Sequence, residues 1–178
     1  MKFMRIANRI YSGIIITAII TAYGCSPVMV PLKGKYSDSP VVFTSTKSID
    51  SIWLNLTKIL STNGLPIKNI EKKKGIILTM KAPINSVYTF EDKDGQLLEP
   101  QAWVVLTRVF NKKKEWKPKD IYGQWSIQIT ETEKGRTTIK VDPIVICTYF
   151  PNTFTTMETR GQSTGKLEEL LQRSLNNN

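Results

Sequence analysis

Apolar residues along this chain change their spacing several times, and each change predicts a different element. Ile49, Ile52, Trp53, Leu56, Ile59 and Leu60 recur at i, i+3, i+4, i+7, i+10 and i+11, one continuous stripe of an amphipathic helix. Thr46 or Ser48 is placed to cap its start and Asp50 to meet the positive end of its dipole, while Asn63-Gly64 and Pro66 stop it. A second stripe, Leu167, Leu170, Leu171 and Leu175, predicts a helix from about Gly165 to Leu175. Gly165 and Glu168 are spaced there as a capping box with glycine in the cap position.

Between the stripes the period falls to two. Leu65 to Ile70 and Ile76 to Lys81 read as a hairpin turning through Glu71, Lys72, Lys73, Lys74 and Gly75. Residues 82–100 contain Pro83, Asp92, Asp94, Gly95 and Pro100 and read as a long loop around a strand fragment, Ser86 to Phe90. Gln101 to Phe110 is β-rich, with Trp103, Val105, Thr107 and Val109 expected on one face, until Lys112 to Lys114 and Pro118 break it. Tyr122 to Thr130 alternates with Trp125, Ile127 and Ile129 inward and Gln124, Ser126 and Gln128 outward. Glu133-Lys134-Gly135 turns into Arg136 to Val141, where Thr137, Ile139 and Val141 share a face, and Pro143 marks a sheet edge or bulge. Tyr149, Phe150, Phe154 and Met157 follow without a clear period. They are expected either as a core-covering loop or as a partner- or ligand-binding edge, since aromatic residues and methionine are frequent interface anchors. This order predicts an α+β fold: a single two-layer domain whose antiparallel sheet of about five strands is packed by an N-terminal and a C-terminal helix.

The front of the chain has another pattern. Lys2, Arg5 and Arg9 precede Ile10 to Ile20, an uncharged apolar run of 11 residues. As a helix that run spans about 16 Å, half the hydrocarbon thickness of a bilayer, so it reads as a secretion signal rather than a spanning helix. Thr21-Ala22-Tyr23-Gly24-Cys25 closes it, and small residues flanking one cysteine resemble the lipobox of bacterial lipoproteins. That resemblance implies cleavage before Cys25, acylation of its thiol and new amino group, and a durable membrane anchor. Ser26 in place of aspartate implies, by the same resemblance, the outer membrane, with the domain facing the periplasm. The expected organisation is a signal peptide over 1–24, a tether over 25–45, where Pro27, Pro31, Gly34 and Pro40 oppose helix, and the α+β domain over 46–178.

Three of the net +10 charges belong to the first 24 residues, leaving +7 for the 154 that follow. That is enough chain for one core without disulfide staples. With 40% hydrophobic and 22% charged residues the composition is that of a globular protein, neither disordered nor multispan. Histidine is absent, which removes histidine triads and His-ligated zinc. With Cys25 acylated, Cys147 has no intrachain disulfide partner, and the apolar run before it favours a buried structural thiol over a nucleophile. Glu91, Asp92 and Asp94 before Gly95 match a calcium loop only in part: the glycine comes two positions early and the closing glutamate is missing. No cofactor and no metal are expected. Lys72 to Lys74 and Lys112 to Lys119 read either as soluble hairpin tips or as contacts for anionic headgroups or an acidic partner. Nucleic acid is not an expected partner, since no binding motif is present.

Ser48 to Thr79, with Trp53, Gly64 and Gly75, is similar to the repeated unit of BamC-type lipoproteins of the outer-membrane assembly machinery, and Ser163 to Glu168 resembles the start of the closing helix of such helix-grip domains. The resemblance implies a helix-grip-like fold. The functional expectation is a non-catalytic accessory or scaffold that binds an envelope protein. The alternative is a binding module for a small apolar ligand held between helix and sheet.

Overall fold

Two long strands organise the molecule. The computed structural model describes residues 27–37, 39–84, 86–132, 135–152 and 155–176. In it Pro118–Thr132 (β10) and Arg136–Asn152 (β11) form one antiparallel ribbon, from Thr132 opposite Arg136 to Pro118 opposite Tyr149. Ile76–Thr79 (β4) and Ala82–Pro83 (β5) pair with β10, and Ile67–Glu71 (β3) pairs with β4. On the far side of β11 lie Val41–Ser45 (β2), opposite residues 137–141, and Thr155–Arg160 (β12), opposite residues 146–152. These seven strands make one antiparallel sheet.

Two three-stranded sheets flank it. One joins Val28–Met29 (β1), Val109–Asn111 (β8) and Lys114–Trp116 (β9); the other joins Tyr88–Thr89 (β6), Val104–Val105 (β7) and Gln162–Ser163 (β13). The predicted α+β fold, with about five strands gripped by two helices, is therefore corrected: the protein is mostly β, with a seven-stranded sheet and two smaller ones. Pro143 explains part of the difference. It lies where β2 has ended and β12 has not begun, a gap in which its missing N–H breaks no ladder on that side, so the strand passes through it. The unit that carries the helix-grip resemblance is present as helix, β3 and β4 but is built into this larger sheet.

The helices follow their stripes. Ile49–Thr62 (α1) is capped by the Ser48 hydroxyl, which accepts from the Ser51 amide at 3.4 Å, and buries Ile52, Trp53, Leu56 and Leu60. Lys166–Asn176 (α2) buries Leu167, Leu171 and Leu175. Against them stand Ile77, Ile127, Ile129, Ile139 and Val141, filling the space between helices and sheet. The strand alternation of β10 places Trp125, Ile127 and Ile129 inward as expected. The expectation for Gln101 to Phe110 is corrected: Val104, Val105, Leu106 and Val109 are all buried, since the segment splits into two short strands rather than exposing one face.

Between β3 and β4 a single 3-10 turn, Lys72–Lys74, ends at Gly75 with φ 70°. A Cβ at Gly75 would collide with the carbonyl oxygen of Ile129, so both the left-handed backbone and the close approach of β10 call for glycine. At Thr79 the ladder breaks as β4 hands over to β5. The Thr79 hydroxyl accepts from the Trp125 amide at 2.8 Å, and Gln124 Nε2 donates to the Thr79 carbonyl at 2.9 Å, so side chains replace the missing backbone pairs. Among the described residues no helix is long and apolar enough to cross a membrane.

Candidate functional site

The segment expected as a tether is a strap sewn onto the body. β1 pairs Val28 with Phe110 and Met29 with Val109. The Val30 amide then donates to the Arg108 carbonyl at 2.9 Å. Lys33 and Gly34 donate their amides to the two carboxylate oxygens of Glu91 at 2.8 and 2.7 Å. Ser37 and Ser163 exchange backbone bonds at 3.3 and 2.9 Å, and β2 completes the run. β1 and β2 thus fold residues 28–29 and 41–45 of the expected tether into the sheets. Prolines that forbid helix leave extended backbone free to pair.

Beneath this strap lies a cavity of about 350 Å³. Val30, Leu32, Leu106 and Phe110 give it apolar walls, and Arg108 and Glu91 stand in its lining. The Arg108 guanidinium lies 5.8 Å from the centroid of the Phe90 ring, with Nε 3.6 Å from Glu115. Glu91 is 7% exposed. Burial acts to raise its pKa, but the amides of Lys33 and Gly34 and the Tyr36 hydroxyl outweigh that and hold it below the ordinary carboxylate value. Burial and the same carboxylate push the Tyr36 hydroxyl up to about 12. Asp92 closes the adjoining turn by accepting from the amides of Asp94 and Gln96 at 2.8 and 2.9 Å. Two acids of the partial calcium loop, Glu91 and Asp92, are thus occupied by backbone donors. Among the described residues no group of three or more Cys, Asp or Glu is placed to hold a metal ion. The chemistry available here is binding of an apolar group beside a cation.

Comparison with family models, with curated proteins and with solved structures returns no match for this chain.

The residues singled out from the sequence are not brought together. Cys25 lies outside the described residues. Tyr149 is fully buried in β11, donates its hydroxyl to the Thr107 carbonyl at 2.8 Å, and has its pKa pushed up by burial; it is a core residue and not a partner contact. Phe150 continues β11, and its side chain and the whole of Phe154 lie outside the described residues. Met157 pairs with Tyr149 across β12 and packs against the core. Cys147 is buried and its thiol is pushed up by desolvation, the opposite of nucleophilic activation. The sequence reading missed Glu91 as a clamp and Arg108 as a cavity wall. The signal for the strap was the apolar run Val28-Met29-Val30, too short to score as a strand without its partner.

One further buried acid has a measurable consequence. Glu168, 3% exposed at the first turn of α2, accepts from the Ser163 hydroxyl at 2.8 Å through Oε1, while Oε2 has no hydrogen-bond partner. The helix dipole favours an anion at this position, yet burial outweighs it and raises the pKa, against the lowering effect of its own backbone amide and Ser163. A raised carboxyl contributes its stability below the unfolded value of 4.5 and loses it as pH rises through the folded value. Glu168→Gln is therefore expected to stabilise the protein at neutral and alkaline pH by about 1 kcal/mol, the scale of relieving one buried unmatched polar atom. Urea melts of both forms across pH check this; an equal loss at every pH would contradict it.

Proposed function

We propose that this chain is a lipid-anchored lipoprotein of the bacterial envelope, held in the outer membrane by acylated Cys25 and facing the periplasm, where it serves a protein complex as a non-catalytic accessory. The observation that carries the reading is the succession of Lys2, Arg5 and Arg9, the apolar Ile10 to Ile20, and Ala22-Tyr23-Gly24-Cys25. The organisation of the body supports it. Glu91 and Asp92 bind backbone amides, Glu168 is buried under a helix start, and Cys147 is in the core, so the groups most suited to acid–base or nucleophilic work are engaged in holding the fold together.

Growth with a labelled fatty acid tests the anchor. The natural chain should take up label, and Cys25→Ser should take up none; label persisting in Cys25→Ser would sink the assignment. Crosslinking in membranes tests the accessory role, which predicts a defined protein partner and is overturned if the lipoprotein is recovered alone.

The cavity under the strap favours a second reading, a binding module for a small apolar ligand. The space between helices and sheet is occupied by Leu56, Leu60, Leu171 and Ile127 among others, whereas the strap cavity has apolar walls and a volume suited to a small molecule. Native mass spectra of freshly purified protein should then show a retained mass that denaturation releases.

A further inference from the structure

The two lysine-rich tips sit at opposite ends of the long ribbon. Ile76, which follows Lys72–Lys74 and Gly75, faces Gln128 of β10. Lys112 and Lys113 join β8 to β9, which leads into β10 at Pro118. From Pro118 to Gln128 the strand runs about 33 Å. The two tips are therefore separate patches, and they differ in three further respects.

The first is charge. Lys74 is paired with Glu71 at 2.6 Å, which leaves Lys72 and Lys73 as the two lysines of that tip without an ion-pair partner among the described residues. At the other tip the nearest acid, Glu115, is engaged by Arg108 and Lys117 at 3.6 and 3.3 Å, and Lys112, Lys113 and Lys114 have no ion-pair partner among the described residues. The second is backbone conformation. Lys112 has φ 56°, the left-handed region where glycine or asparagine is at ease. A tip that carries lysine there accepts strain to present a charge. The third is company. β1 runs antiparallel to β8, with Val28 opposite Phe110 and Met29 opposite Val109. Traced backward, it leads toward Asn111 and the tip. Val28, Met29 and Val30 are 62%, 50% and 39% exposed, a run of aliphatic surface on the same small sheet.

We infer that the end of the molecule formed by β1, β8 and β9 docks on a bilayer surface containing anionic phospholipid. Val28 and Met29 enter the interfacial region, and Lys112, Lys113 and Lys114 lie against the headgroup phosphates. Apolar contact and cationic contact reinforce one another at such a surface. The occupant follows from charge complementarity and from the place of β1 in the sequence, three residues after Cys25. Cys25 is two residues before Pro27, within about 7 Å of extended chain, so acylation there would hold this end, and not the Lys72–Lys74 end, against the membrane. The inference rests in that respect on the lipoprotein reading, and it deepens it: acyl anchor and basic tip act as two signals, and the ribbon stands away from the bilayer with Lys72–Lys74 outermost.

Amine acetylation footprinting of the natural full chain, purified from membranes and placed in vesicles, tests this. The vesicles are phosphatidylcholine with or without phosphatidylglycerol, and mass spectrometry reads each lysine. Labelling of Lys112, Lys113 and Lys114 should fall about fivefold or more on the anionic vesicles, as expected for lysines each held near the surface by about one headgroup contact, while Lys72 and Lys73 stay unchanged. Equal labelling on both vesicle types, or protection of Lys72 and Lys73 instead, overturns the inference. Intact mass of the same sample separates it from the anchor reading. Acylated protein without tip protection retains the anchor and ends the docking surface; protected tips on an unacylated chain retain docking and end the anchor.

Discussion

Replacing Glu91 by alanine should free the strap: amide hydrogen exchange at Lys33 and Gly34 rises about a hundredfold while exchange in the β10–β11 ribbon hardly changes. The carboxylate receives two backbone amides, at 2.8 and 2.7 Å. Each hydrogen bond to a charged group contributes roughly 1.5–3 kcal/mol, partly regained when the released amides meet water. A net local loss of about 3 kcal/mol corresponds to that hundredfold change, because exchange reports the free energy of local opening. Glu91→Gln, which keeps one acceptor oxygen, should fall between the two. The strap is also expected to loosen in acid. The folded pKa of Glu91 is below the unfolded value of 4.5, so its contribution is complete above that value and is lost as pH falls through the lower folded one. A strap that stays protected in Glu91→Ala would show that β1 and Val30 hold it without the clamp.

The cavity shares this dependence. Val30 and Leu32 of the strap form part of its wall, so the apolar-ligand reading requires Glu91→Ala to lose the retained mass while the helices and main sheet survive. The lysine tip is less exposed to the change, since β8 and β9 pair with each other through Val109 and Trp116 whether or not the strap is in place.

Elements that carry their own signal were legible in the sequence, and elements that need a distant partner were not. The stripe from Ile49 to Leu60 is complete within one segment, and α1 covers it. Trp125, Ile127 and Ile129 alternate within one strand. By contrast β12, Thr-Thr-Met-Glu-Thr-Arg, has no alternation and becomes a strand because β11 offers it an open edge. β6 and β7 are two residues each and pair in parallel, Tyr88 with Val104. Tyr149, read as a possible contact in an aperiodic stretch, is one residue of the inward phase that β11 maintains from Thr137 onward. Pro143 hid that continuity. At the candidate site the acids near residue 91 stood out, but the donors that occupy Glu91 are backbone amides 57 and 58 positions away, which no local pattern encodes.

Trp125→Ala is expected to give the largest loss of global stability, about 3–5 kcal/mol, the range for removing a large buried ring. The reason is its position between layers. It is 1% exposed, and its ring meets Trp103 edge-on at 6.2 Å and 87°. Trp103 directly precedes β7, so this contact ties the sheet of β6, β7 and β13 to the main one. Gly123 makes the arrangement possible: a Cβ there would come within 2.7 Å of the Trp125 ring and 2.9 Å of Ile84. The melting temperature should fall by roughly 10 °C, at about 2–4 °C per kcal/mol for a domain of this size, with Trp125→Phe losing less because the ring is retained. The same ribbon joins the Lys112–Lys114 tip to the far end. If the small sheets were independent of it, Trp125→Ala would melt in two steps, the smaller sheets first. A single shifted transition means that the sheet of β1, β8 and β9, the strap and the helix layer unfold together.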